Sequence, residues 1–403
     1  MAEPFLPYGR QLIEDGDIAA VVASLKSDWL TTGPAVQAFE KAVAEKVGAA
    51  HAVSCTSGTA ALHLAAMALG LGPGDEVVVP TITFLATANA ARFVGSDVAF
   101  ADVDPDTGLL TEAHAREALG RAKSAKVIIP VHLNGQCAPM ERIAALAKER
   151  GVAVIEDACH ALGTTYRTIS GETVRVGSCR LSAMTVFSFH PVKTVTMGEG
   201  GIVTTNDEIF YRKLTRFRNH GMTNDPASFE NKDLAFDSAG AANPWYYEMP
   251  ELGYNYRASD LNCALGLSQL NKLDRFVAKR RELVDQYDHA LAPLAPVVRP
   301  VGRLSDCEPA WHLYVALIDF SAARTDRASL MKRLKDEGIG TQVHYLPVHL
   351  QPYYRKQYGR RDLPGAQSYY DRALSLPLFA TMEKRDVERV AETLRRNLGG
   401  GRR

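Results

Sequence analysis

Between residues 50 and 205 the chain alternates short, continuously apolar runs with stretches in which apolar residues return every three or four positions. The runs at 52–54, 76–79, 98–103, 127–131 and 152–155, and then 184–187 and 201–205, predict buried strands. The stretches at 59–69, 83–93, 111–119 and 140–150 predict helices between them. Strands that are apolar throughout, each followed by a helix, form a parallel sheet with helices on both faces. Ligands of such sheets gather at the carboxyl ends of the strands, so the residues just after each run are where chemistry should be sought.

Outside this region the pattern predicts amphipathic helices at 18–26 and 35–47, joined by a turn-forming stretch with Trp29, Thr31 and Thr32 that suits a connector or a ligand loop. A helix at 207–219 follows. Residues 223–250 carry no sustained period and end in Trp245-Tyr246-Tyr247, a long loop of the kind that is usually functional or mobile. A long helix, whole or broken, is expected over 259–291, then a strand at 312–320, a helix at 327–337, a strand at 341–345 and a helix at 384–398. Residues 399–403 read as a frayed tail. The chain thus divides into a large unit, 1–265, and a smaller α+β unit, 266–403.

Composition narrows the function classes. The 403 residues are 46% hydrophobic and 23% charged, ordinary for a globular chain. Forty-six basic residues balance forty-six acidic ones, so no general affinity for nucleic acid or an anionic membrane is expected, and an anionic ligand must be held by local groups. The first seven residues lack a basic start and an apolar core segment, and no apolar run is long enough to span a bilayer; the expectation is a cytoplasmic protein. Six scattered cysteines (Cys55, Cys137, Cys159, Cys179, Cys263, Cys307) show no metal-ligand spacing and read as buried free thiols, with no metal expected.

Four groups follow successive strands. Ser57-Gly58-Thr59 runs straight into a helix, where free N–H groups and the helix dipole favour a phosphate, although an ordinary N-cap has the same look. Phe84 would set an aromatic ring over the same crevice, or simply pack in the core. Asp157 ends a buried strand and would be costly to ionise without a cation or donors to meet it; a protonated ring nitrogen would serve, as would a helix cap or structural ion pair. His160 lies one helical turn on, in reach of the same ligand or satisfied in the core. Lys193 sits in a turn between two strands, where partial desolvation would lower its pKa and free its amine to attack a carbonyl, though a loop lysine is more often a solvated charge. A phosphate seat, a stacking ring, a carboxylate and an amine are together what pyridoxal 5'-phosphate requires.

The segments Ser-Gly-Thr-Ala-Ala-Leu at 57–62, Glu-Asp-Ala-Cys-His-Ala at 156–161, Phe-Ser-Phe-His-Pro-Val-Lys at 187–193, Gly-Glu-Gly-Gly at 198–201 and Gly-Tyr-Asn-Tyr-Arg at 253–257 resemble the DegT/DnrJ/EryC1/StrS family of nucleotide-sugar aminotransferases. The resemblance implies the fold-type I α/β architecture, with a mostly parallel seven-stranded sheet and a smaller α+β C-terminal unit. It also implies pyridoxal phosphate as cofactor and a homodimer whose active sites lie at the subunit interface. By position, Lys193 takes the Schiff-base role and Asp157 partners the pyridine nitrogen. Phe84 takes the stacking position and His160 a place near the phenolic oxygen. Ser57, Gly58, Thr59 and Ser188 would hold the phosphate from one subunit and Asn255 from the other. Arg257 of the neighbouring subunit is the first choice for the substrate diphosphate, with Thr31, His344, Tyr345 and Trp245 as further substrate contacts.

Within the family, the segments at 244–249, 251–257 and 344–355 resemble members that aminate a UDP-linked 4-keto-6-deoxy sugar on the route to pseudaminic acid, with L-glutamate as donor; GDP- and dTDP-linked keto sugars are the alternatives. Two other classes share such a pocket. A cysteine-desulfurase-type lyase would need a mobile nucleophilic cysteine, and a cofactor-binding regulator would need a nucleic-acid-binding element, of which the sequence shows neither.

Overall fold

The computed structural model describes residues 4–398; the tail expected at 399–403 lies outside them. Its strands are β1 (His51–Cys55), β2 (Glu76–Pro80), β3 (Asp97–Ala101), β4 (Ala125–Ile128), β5 (Ala153–Asp157), β6 (Thr165–Arg167), β7 (Thr173–Arg175), β8 (Met184–Ser188), β9 (Gly201–Thr205), β10 (Val298–Pro300), β11 (Cys307–Glu308), β12 (Tyr314–Ile318) and β13 (Ala373–Leu376). Seven of them form one sheet in the order β1-β9-β8-β5-β4-β2-β3. Only β9 runs against its neighbours, because it returns from β8 as a hairpin. Successive residues alternate between two apolar cores: Val53, Val79, Ile155 and Val203 face one, Ala52, Val78, Val154 and Ile202 the other. Burial on both faces is why these strands read as unbroken apolar runs.

The C-terminal part carries a second sheet, β10-β12-β13, antiparallel throughout. Helix Lys384–Leu398 packs against helices Leu273–Leu291 and Arg327–Asp336. A third small sheet, β11-β6-β7, ties residues 307–308 to the hairpin at 165–175. The helices at 15–47 clamp onto helix Asp260–Leu270. There, buried Asp17 accepts from Ser268 (2.7 Å) and Gln269 (2.7 Å), and buried Asp260 accepts from the N–H groups of Gly33 and Ala35.

Several expectations need correction. The strands expected at 98–103 and 127–131 end at Ala101 and Ile128; of the two forms allowed for the helix at 259–291 the broken one occurs, with the break between Leu270 and Leu273. The strand expected at 341–345 does not form: one bridge, Gln342 to Ser375, is its only β contact. The segment instead runs along the wall of a cavity, which Gln342, Val343, His344 and Tyr345 all line. Cys159 and Cys307 are free like the other cysteines but only partly covered. The loop 223–250 holds one 3-10 turn, Pro226–Ser228, and one helical turn, Lys232–Ala235. Among the described residues no helix is long and apolar enough to cross a membrane.

Candidate active site

The connection between β8 and β9 is held in a fixed shape. Phe189 N–H donates to Gly200 O (2.9 Å), Met197 N–H returns to Phe189 O (3.0 Å), and Asn262 Nδ2 donates to Met197 O (2.7 Å). Lys193 sits within this frame, its own N–H on His190 O (2.9 Å). Burial pushes its amine below the ordinary lysine value, only partly opposed by Cys159 and Asp157 nearby. A desolvated amine with a lowered pKa is a nucleophile in waiting.

Asp157 closes β5. Its main chain is pinned by a bond from its N–H to Pro130 O (2.9 Å), and its Oδ1 accepts from the Cys159 N–H (3.2 Å). Oδ2 accepts from Thr87 Oγ1 at 2.6 Å, and Thr87 is itself paired with Thr83 Oγ1 at 2.7 Å. The preceding residue, Glu156, is buried with different partners. Burial drives its carboxyl up, but donors from His132 Nε2 (2.7 Å), Ser182 (2.5 Å) and Thr185 (3.1 Å) outweigh this and hold it below the usual range. Ala138 N–H donates to His132 Nδ1 (3.2 Å), which fixes the imidazole proton on Nε2, facing Glu156. Glu156 is thus consumed by the interior, while Asp157 lines a cavity.

Ser57 caps helix Gly58–Ala68, its Oγ accepting from Ala60 N–H (3.1 Å), and the first N–H groups of a helix have no partner within it. This helix start presses against the end of β8. A Cβ added to Gly58 would lie 2.9 Å from Ser188 Cβ and 3.3 Å from Cys159 Sγ, and one added to Gly201 would lie 2.2 Å from Ser57 O. Glycine is required at both places by close approach, and the result is a cradle of backbone and small hydroxyls.

These pieces meet in one cavity of about 870 Å³, lined by Ser57, Gly58, Thr59, Phe84, Asp157, His160, Ser188, Lys193, His344 and Tyr345. Phe84 is 56% exposed, and its ring centroid lies 6.0 Å from that of Tyr345. His160 Nδ1 accepts from Asn134 N–H (3.3 Å), so its proton sits on Nε2, which meets Tyr345 Oη at 3.0 Å. His344 Nδ1 pairs with Ser375 Oγ (2.8 Å). The remaining sequence-derived residues are elsewhere. Asn255 is exposed and bridges Asn219, and Arg257 donates to Asn219 Oδ1. Thr31 bridges Ser259, and Trp245 projects outward.

The cavity also contains Tyr8, Thr83, His312 and Gln351, which sequence reasoning missed, and Thr87 stands behind Asp157. Thr83 and Thr87 lie four apart at a helix start, and that spacing is the one signal that points to them. Cys159 does line the cavity, but burial and the adjacent Asp157 push its thiol well above the ordinary value, and burial takes Cys55 up to about 12. Neither thiol is activated, which removes the basis for a cysteine-dependent lyase.

The residues present fit pyridoxal phosphate. A lowered-pKa amine suits its aldehyde, a buried carboxylate with room for one more partner suits a protonated ring nitrogen, and the glycine-dependent cradle at a helix start suits a phosphate. The chain matches the DegT/DnrJ/EryC1/StrS aminotransferase family over residues 11–395. It is 40% identical over 394 residues to the spore coat polysaccharide biosynthesis protein SpsC of Bacillus subtilis, covering 97% of this chain and 96% of that one. The structure superposes on PseC of Helicobacter pylori, an aminotransferase involved in pseudaminic acid biosynthesis, with a TM-score of 0.88, 29% identity and 98% and 100% of the two chains covered. It superposes equally fully on the pyridoxal phosphate form of Spr1654 from Streptococcus pneumoniae (TM-score 0.85, 26% identity, 98% and 99% covered). The chain belongs to the DegT/DnrJ/EryC1/StrS aminotransferase family and is a pyridoxal phosphate-dependent aminotransferase of the nucleotide-sugar type.

Proposed function

We propose that the enzyme transfers the amino group of L-glutamate to the keto carbon of a UDP-linked 4-keto-6-deoxy hexose, UDP-2-acetamido-2,6-dideoxy-β-L-arabino-hexos-4-ulose, giving the 4-amino sugar of the pseudaminic acid route. The full-length likeness to PseC carries this reading. Bound pyridoxal phosphate supplies an electron-accepting ring conjugated to the carbon that exchanges its amine. Lys193 Nζ would hold the cofactor and would act as the base that takes the proton from the donor's α-carbon and as the acid that delivers it to the cofactor carbon bearing the amine. Asp157 keeps the ring nitrogen protonated by its charge, and Thr87 keeps that carboxylate aimed. Ser57, Gly58, Thr59 and Ser188 bind the phosphate, Phe84 covers one ring face, and His160 with Tyr345 answers the phenolic oxygen. One site serves donor and acceptor in turn, so the kinetics are ping-pong.

The chain works as a homodimer in the cytoplasm in this proposal, with Asn255 and Arg257 entering the partner's site on the phosphate and the diphosphate. Their position outside the cavity of their own chain supports this, as does the bridge from Thr31 to Ser259. That bridge ties the 28–34 segment, with exposed Trp29 and Leu30, to the start of the helix that follows Arg257, and Leu252 and Asn255 are exposed on the same connection. Exposed large apolar side chains of this kind suit a protein contact. Thr31 and Trp245 are then substrate contacts across that interface, and His344 and Tyr345 contacts within the chain. Mixing inactive Lys193→Ala and Asn255→Ala subunits should recover up to about a quarter of wild-type activity, since random pairing yields dimers with one intact site; folded heterodimers with no activity would exclude shared sites.

The substrate is tested with a panel of UDP-, GDP- and dTDP-linked 4-keto and 3-keto sugars with glutamate, read by product mass and NMR. The UDP-linked 4-keto acetamido sugar should show the highest kcat/KM, by about a hundredfold or more over the other nucleotides if buried polar groups read the base. The likeness to SpsC favours a second reading, a keto sugar bound for a polysaccharide, for which GDP- and dTDP-linked sugars are the alternative substrates. Preference for a GDP or dTDP sugar in the same panel would decide for it.

A further inference from the structure

A second, much smaller cavity adjoins the first. Cys159, His160, Ser188, Lys193 and His312 line both, and Thr194 helps to close the small one. The volume in it open to a water's centre is about 10 Å³, which matches a single water molecule. A water held in such a place needs two to four polar partners, and the lining residues include a lysine, a serine, a threonine and two histidines.

The imidazole is the informative member. His312 is 4% exposed and its Nδ1 has no hydrogen-bond partner in the protein. A buried ring nitrogen without a partner is uncommon and points to an ordered water or a ligand group. The backbone that carries the ring is fixed: its N–H is tied to Asn134 O (2.8 Å) and its carbonyl accepts from buried Arg280 (3.2 Å). The ring itself is buried, with its centroid 4.4 Å from that of His160. His160 cannot take its place, because both of its nitrogens are engaged, one by Asn134 N–H and one by Tyr345 Oη. Burial and the nearby Lys193 hold His312 neutral, so it meets a neighbour as a hydrogen-bonding group and not as a charge.

We propose that the small cavity is a single-water site in which His312 Nδ1 holds a water against Nζ of Lys193, making His312 a positioning residue for that amine. The inference rests on the assignment of Lys193 to the chemistry. When the amine is detached from the cofactor it keeps one partner on the protein side, and its remaining lone pair or proton stays directed at the reacting carbon. Nothing is oxidised or reduced, and the water is neither consumed nor formed.

Crystals of the holoenzyme and of the cofactor-free protein, at a resolution that shows ordered water, test the site. One water within about 3 Å of His312 Nδ1 and Lys193 Nζ is expected in the cofactor-free wild type, retained in His312→Gln and lost in His312→Leu. The leucine variant should lose about tenfold in kcat with KM for both substrates unchanged, as for one lost hydrogen bond to a reacting group. The glutamine variant should recover most of that loss. Where His312→Leu fails to fold, His312→Phe replaces it. Absence of the water from the cofactor-free wild type, or full kcat in the apolar variant, overturns the proposal. Borohydride mapping of the cofactor onto a residue other than Lys193 would instead overturn the underlying assignment, and the two failures are told apart by which measurement gives them.

Discussion

Replacing Lys193 by alanine should abolish covalent retention of the cofactor and lower amino transfer by about a thousandfold or more. The estimate joins the range of about 10²–10⁴ for a positioned proton-transfer group with the further loss of covalent catalysis. Borohydride treatment of the wild-type holoenzyme, followed by peptide mass mapping, should place the cofactor's mass on the peptide that contains Lys193. The same treatment of the variant should leave that mass nowhere on the chain. The amine is suited to this because burial lowers its pKa, which makes the neutral, nucleophilic form easier to reach than in a solvated lysine. Its loop is anchored through Phe189, Met197 and Asn262, so truncating the side chain leaves the frame standing and circular dichroism should be unchanged. Cofactor mass on another lysine, or turnover within tenfold of wild type, would remove Lys193 from the mechanism.

Much of this site was legible before any coordinates because the fold puts sequence neighbours to work together. Lys193, Asp157 and the helix start at Gly58 each follow a strand, and strands buried on both faces announce themselves as apolar runs. The residues that tune those groups were not legible. Thr87 reaches Asp157 from 70 positions away and His312 borders the Lys193 cavity from 119 positions away, distances at which no spacing rule operates. The segment 341–345 shows the opposite failure. It reads as a strand, but the segment forms a cavity wall, with His344 buried there and not in a sheet. Strand β13 was missed because helix Pro364–Arg372 runs directly into it, with no turn residue to mark the change.

Asp157→Asn should lower kcat/KM by about a thousandfold while the folded protein still binds the cofactor. A carboxylate in near contact with a protonated ring nitrogen contributes ~4 kcal/mol at an effective dielectric of ~20, and the neutral amide forfeits that charge pair. The amide is nearly isosteric and can still accept from Thr87, so the fold and the cavity should survive. Thr87→Val separates charge from aim. It deletes a 2.6 Å hydrogen bond to the carboxylate, a contact worth ~1.5–3 kcal/mol, and should cost about tenfold to a hundredfold. Because Thr87 would act through Asp157, the double variant should be no worse than Asp157→Asn alone, a departure from additivity that two independent contributions could not produce. If the two losses instead multiplied, Thr87 would have to reach the reacting atoms by another route. If Asp157→Asn kept a tenth of wild-type activity, the ring nitrogen would not depend on this carboxylate, and the electron-accepting power of the cofactor would have to be sustained by some other group in the cavity.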